Sequence, residues 1–236
     1  MNVTEIMAEL QSKGSESIKK ILVKHGVKEP FFGVKIAYLK PIQKKVKKDY
    51  QLAKDLFATG NADAMYLAGL IADDEKMTRA DLQIWAEQAV SNNISEYTVP
   101  WVTAGNPHGF ELALEWINSP VEHIAAGGWA TLSNIVALRP DNELDIAKLR
   151  VLLQRAGQDI RQSEDRVCYH MNCFVISAGS YVAALADDAM AMANKIGVVT
   201  VDKNGTACKV PIATEYIKKV WDKRGGIAPK KKEVKC

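Results

Sequence analysis

The stretch Thr78-Arg79-Ala80-Asp81-Leu82-Gln83-Ile84-Trp85-Ala86-Glu87-Gln88-Ala89 decides the fold. Thr78 and Asp81 stand three apart, the spacing at which a threonine hydroxyl accepts the third helical amide and the carboxylate reaches back to the threonine N–H. Leu82, Trp85, Ala86 and Ala89 then recur at the steps of three and four that put apolar side chains on one side of an α-helix. The pattern repeats outward. Asn106-Pro107 and Ser119-Pro120 each set a capping side chain before a proline, and Glu122 completes a second capping box after Ser119. Phe110, Ala113, Trp116 and Ile117 line the first helix of that pair. Gly127 and Gly128 fall inside the second, where each costs about 1 kcal/mol against alanine, so either another backbone comes close or the helix breaks.

Further downstream, Asn142 opens a helix lined by Ile146, Leu149, Leu152, Leu153 and Ala156, and Ser163 opens one running through Val167, Met171, Phe174 and Val175. Tyr181 to Ile196 is expected to be the last long helix. Upstream, Ala62 to Ala72 and Gln51 to Ala58 form two helices, and a third starts near Pro41. Two short ones, on Ile6, Met7, Leu10 and on Ile18, Ile21, Leu22, are parted by Gly14-Ser15, and the breaker-rich run from His25 to Gly33 brings Phe31 and Phe32 inward. Only Val198 to Val201, Asn204-Gly205 and Ala207 to Val210 read as strand, turn and strand.

The fold class is therefore all-α, with one short β-hairpin at Val198 to Val210. Helix starts near Thr78, Asn106, Asn142 and Ser180 define pairs separated by roughly 28 to 38 residues, just under the roughly 40 to 47 of regular HEAT units. Such pairs bury their apolar sides only by stacking, which gives an irregular α-α solenoid whose inner curve is the usual binding surface. A single repeat domain is expected over residues 1–228 and a basic, mobile tail over 229–236.

The 236 residues, 47% hydrophobic and 25% charged, exclude disorder and fibrous classes. Met1 to Leu10 carries Glu5 and Glu9 and lacks the pattern of a secretory signal, and no apolar run reaches the roughly 18 residues of a membrane span. The cytoplasm is the expected address, with no membrane partner. Cys168, Cys173, Cys208 and Cys236 are too few and scattered for a disulfide framework. Cys168, His170 and Cys173 cannot close round one ion, because residues two apart on a helix point away from each other. No phosphate-cradling glycine loop, Gly-x-Ser-x-Gly elbow or His-Glu-x-x-His occurs, so no cofactor or metal is expected and nucleotide hydrolysis, serine hydrolysis and zinc proteolysis are unsupported.

The net charge of +3 is modest, but it is clustered: Lys40, Lys44, Lys45, Lys47 and Lys48 fall within nine residues, and a second basic group runs from Lys218 to Lys235. Lys40, Lys44, Lys47 and Lys48 are spaced to share a helical face and to meet phosphates, against the alternative of a plain solvated face.

The segment Phe32-Gly33-Val34, followed by Pro41 and a basic helix and then by Trp116-Ile117-Asn118-Ser119, resembles the DNA alkylation repair family of HEAT-like repeat proteins, the AlkD type. The resemblance implies binding of double-stranded, damaged or branched DNA in the concave face. Its best-known members excise alkylated purines and implicate a tryptophan, an aspartate four residues on and an arginine on a later helix. Anchored on Pro100, the carboxylate position is Glu96 and the tryptophan position Asn92. Anchored on Trp116-Ile117, the arginine position is Ala126, and a further DNA-facing tryptophan falls near Cys173. Tyr97 and Trp101 are the aromatics available to replace the missing wall. Three functions stand in order: a DNA-binding protein without ordinary excision, an alkylpurine glycosylase using Glu96, and a protein-interaction scaffold.

Overall fold

A computed structural model describes residues 1–89, 91–202 and 209–235. Its regular elements among the described residues are all helices, and it divides into two compact units. The first, Met1–His108 with Lys235, holds α1 (Val3–Ser12), α2 (Glu16–Lys24), α3 (Ile36–Val46), α4 (Tyr50–Phe57), α5 (Ala62–Ile71), α6 (Arg79–Gln88) and α7 (Val99–Ala104). The second holds α8 (Gly109–Trp116), α9 (Glu122–Leu138), α10 (Ile146–Asp159), α11 (Asp165–Tyr181), α12 (Ala186–Ile196) and α13 (Ala213–Arg224).

The Thr78 capping box forms as the sequence requires, with Asp81 N donating to the threonine hydroxyl and Thr78 N to the Asp81 carboxylate. Its apolar stripe packs inward, and Trp85 stacks on Phe57 with ring centroids 4.1 Å apart. At the centre of the first unit is α5, buried along its whole length, which touches α1, α3, α4 and α7. Asp63 at its first turn accepts three backbone amides, from Phe32, Gly33 and Val34, and so fixes the loop that carries Phe31 into the core.

In the second unit α9 and α11 pack along each other, α8 covers α9, and α12 and α13 cover α11. The two glycines of α9 make no break, and Gly128 marks a close approach: a Cβ there would lie 2.8 Å from the Ile117 backbone nitrogen. Trp129 and Phe174, both fully buried, meet at 5.4 Å between ring centroids and centre this core.

Several expectations need correction. The helix placed from Pro41 onward begins earlier, at Ile36, and carries Pro41 in its interior. Ser119 and Glu122 form no capping box: Ser119 accepts the Val121 amide, and Glu122 is drawn away to accept the Arg166 amide. The helix expected from Asn142 starts at Ile146 under an Asp145 cap, and Tyr181 ends α11 rather than opening the next helix. The segment 198–201, expected as a strand, forms none. Val199 and Val201 pack instead against the helical core, and the Asp202 amide is taken by the Asp165 carboxylate, so the alternation serves helix packing. The hairpin's Asn204-Gly205 turn and Ala207 lie outside the described residues. The long helix α13 was not expected at all. Along 229–235, Lys230 donates to Val136 O and pairs with Asp141, the Lys231 amide bonds Ala137 O, and Lys235 meets Ala72 O and Asp74. Among the described residues no helix is long and apolar enough to cross a membrane.

Candidate nucleic-acid interface

Glu96 sits in a wide π-type turn, Ile94–Thr98, that leads into α7. Pro100 gives the reason. Four residues after Glu96, it has no N–H for the Glu96 carbonyl, and its ring would press on that carbonyl in a regular α-helix. The turn widens to avoid both problems, and Val99 N bonds Ile94 O, five residues back. Room for the wider backbone comes from Gly69 of α5, where a Cβ would lie 2.4 Å from the Thr98 methyl.

The turn withdraws Glu96 from solvent, leaving it 3% exposed. Trp101 is buried too, its ring edge-on to Tyr66 at 5.3 Å and to Tyr97 at 6.1 Å. Of these aromatics only Tyr97 reaches solvent, at 43% exposure. Tyr97 and Trp101 are thus brought together beside the turn that holds Glu96, with Tyr66 as a partner that no sequence pattern flagged. Asn92 lies instead against Gly26, its backbone amide donating to the Gly26 carbonyl at 3.3 Å. Ala126 is fully buried in the second unit and Cys173 is half-buried there.

The lysine cluster is exposed at all five positions. It does not share one helical face, because α3 ends at Val46. Lys40 and Lys44 stand one turn apart on the helix. Lys45 lies round its side, and Lys47 and Lys48 follow the helix end. Lys47 has a φ of 63°, a conformation that costs a side-chain-bearing residue of order 1–3 kcal/mol. Lys44 and Lys45 also favour the negative end of the helix dipole, which gives them a structural use beside any ligand.

Lys48 is electrostatically engaged with the neighbouring acids. Burial pushes the Asp74 carboxyl up from its ordinary value while Lys235 and Lys48 pull it down, and burial lowers the Lys235 ammonium while Asp74 supports it. Asp73 pairs with Lys76 at 3.2 Å. The freely solvated positive edge therefore rests on Lys40, Lys44, Lys45 and Lys47. Among the described residues no group of histidines, cysteines and carboxylates is placed to hold a metal.

These stacked helical pairs define a HEAT-like repeat protein. The family model for DNA alkylation repair enzymes matches residues 6–195, and the chain belongs to that family. It is 31% identical over 221 residues to the uncharacterized protein Lmo0209 of Listeria monocytogenes, covering 91% of this chain and 95% of that one. It is 30% identical, with the same coverage, to the uncharacterized protein Lin0241 of Listeria innocua. A solved structure from a new family of proteins related to the HEAT-like repeat DNA glycosylases, with affinity for branched DNA structures, superposes with a TM-score of 0.91 at 33% identity over 100% of both chains.

Proposed function

We propose that this chain is a DNA-binding member of the alkylation repair family that grips duplex backbone, favours branched DNA, and excises alkylated purines slowly or not at all. The observation that carries the reading is the division of labour in the first unit: its cations are solvated along Lys40–Lys47, while its candidate catalytic carboxylate, Glu96, is buried. Excision builds positive charge on a sugar, which an anionic group must approach together with a positioned water. A carboxylate held inside a wide turn is poorly placed for that. The matched positions add no help, since Asn92 offers no π surface and Ala126 no charge. The affinity for branched DNA of the structurally similar protein supports the substrate class.

The test is a gel shift on plain, nicked and branched duplexes, run beside release of methylated bases from alkylated DNA. Tightest binding is expected on the branched form. Changing Lys44, Lys47 and Lys48 together to glutamine should weaken binding and lower the slope of log affinity on log salt by up to roughly 1.8, at about 0.9 each for the phosphates left without Lys44 and Lys47, since Lys48 is already engaged with Asp74. Glu96→Gln should leave affinity unchanged. Robust base release by the unmodified chain, lost in Glu96→Gln, would establish the glycosylase reading instead. Absence of binding to any duplex would leave the protein-interaction scaffold.

A further inference from the structure

The second unit contains a cleft of about 490 Å³ built on α13. One side of this helix is committed to the core: Ala213 and Ile217 are buried, and the Trp221 indole N–H donates to Gly179 O at 2.9 Å. Tyr216, Lys219, Val220, Lys223 and Arg224, at steps of three and four, occupy another side and line the cleft. Gly225 and Gly226, with φ of 72° and 132°, then reverse the chain, a conformation that suits glycine. The returning segment is pinned where Ala228 N donates to Ser180 O and Lys231 N to Ala137 O, and it forms the opposite wall.

That wall carries Lys231, whose ammonium lies 5.5 Å from the centroid of the Tyr181 ring at the cleft. Burial holds the Tyr181 phenol above its ordinary range while the Arg224 charge works against it, which places that guanidinium nearby. Lys230 is already used by Asp141 and Val136 O. Lys219, Lys223, Arg224 and Lys231 remain, and among the described residues no carboxylate lines the cleft: Glu215 and Asp222 of the same helix lie outside it. Tyr216, 48% exposed, presents an uncovered aromatic surface among these cations.

We infer that this cleft binds single-stranded polynucleotide, with one base stacked on Tyr216 and the adjoining phosphates held by Lys219, Lys223 and Arg224. The chemistry is that of a cationic groove with an aromatic platform, which accepts any base because every base has a π face. Lys219 and Lys223 stand one turn apart, about 6 Å along the axis, within reach of neighbouring phosphates on one strand. A duplex keeps its bases stacked inside and could use only the cations. The inference goes beyond the duplex grip proposed for the first unit and draws on different residues.

The test is fluorescence anisotropy of the full chain with labelled oligothymidine and, separately, a labelled duplex. Tyr216→Ala should weaken single-strand binding about tenfold, and Tyr216→Phe, which keeps the π surface, should not. Lys219→Gln with Lys223→Gln should lower the single-strand salt slope by about 1.4. Duplex affinity should be unmoved in both Tyr216 variants, and single-strand affinity unmoved in the Lys44, Lys47 and Lys48 triple variant. Because Tyr216 is exposed and its replacement leaves the core packing intact, circular dichroism should be unchanged. Three results would each overturn the inference: no single-strand binding by the unmodified chain, equal loss in Tyr216→Phe and Tyr216→Ala, or parallel losses on single strand and duplex in Tyr216→Ala.

Discussion

The two units bury polarity in different ways. In the first, acids go inside: Asp63, Asp81 and Glu96 are all buried. Asp63 ties down the Phe31–Val34 loop, and Asp81 caps α6 while pairing with Lys54 at 2.7 Å and accepting the Tyr50 hydroxyl. In the second, the buried polar side chains among the described residues are Thr131, Ser133, His170, Asn172 and Ser180, with no carboxylate. Thr131 and Ser133 simply bond back to the α9 carbonyls at Gly127 and Trp129. The first unit is therefore held at specific points by anions and should respond to acid. The second buries no carboxylate among the described residues and should respond less.

The sharpest way to break this comparison is Asp63→Ala. It deprives three backbone amides of their acceptor, two of them buried, and each buried orphan costs about 1–3 kcal/mol, so urea denaturation should show a loss of at least about 2 kcal/mol. A loss under about 1 kcal/mol would mean that water satisfies those amides and the anchor is dispensable.

Asp81 gives the next largest effect and the pH dependence. Burial alone would raise its carboxyl, but Lys54, Tyr50 and the two Thr78 donors together hold it at about 2, below the ordinary 3.8. Because the folded value is the lower one, the stabilisation is complete above about pH 4 and fades as the pH falls towards 2. Asp81→Asn should cost about 2 kcal/mol at neutral pH, with the gap to the unmodified chain closing in acid. Asp63 has the opposite sign: burial, outweighing its three amides, keeps its carboxyl raised, so its ionisation opposes folding as the pH rises through that value. A gap in Asp81→Asn that stays constant down to pH 2 would show that packing, not charge, is the contribution.

Smaller effects sharpen the contrast. Lys47→Gly should stabilise the first unit by about 1 kcal/mol, because glycine tolerates the positive φ that lysine does not. A destabilised variant would show that the lysine side chain makes a contact worth more than the strain. In the second unit the buried Ser180 hydroxyl has no hydrogen-bond partner among the described residues. Ser180→Ala should therefore change stability by less than about 0.5 kcal/mol in a thermal melt, in either direction. A loss of about 2 kcal/mol would reveal a partner that only water can supply.

Legibility in the sequence followed the range of the interactions. The α6 cap and stripe were readable because Thr78, Asp81, Leu82 and Trp85 act within one helix. The Ser119–Glu122 box had the right spacing but lost its glutamate to Arg166, which lies 44 residues away. Asp63 was unreadable as an anchor for the same reason, since its three donors lie about thirty residues upstream. Helix α13 was missed because its inward stripe is thin, only Ala213 and Ile217 being buried, within a run dominated by charge. The lysines of the candidate interface were visible as composition, but their separation onto a helix, its end and the strained Lys47 depends on where α3 stops. The burial of Glu96 depends on backbone geometry that residue types alone do not display.

The wide turn at Ile94–Thr98 also changes what a count of residues means. An α-helix advances about 100° per residue, so two positions four apart sit nearly above one another. A π turn takes about one more residue to complete the same circuit, so that rule of thumb fails across it. Glu96 and Pro100 are four apart in sequence but are not stacked as an α-helix would stack them. A homologue with one residue fewer here could align carboxylate to carboxylate and still direct it elsewhere. Comparison of such proteins at this position has to be made in angles, and the single methyl's width saved at Gly69 is what allows the extra residue to stay.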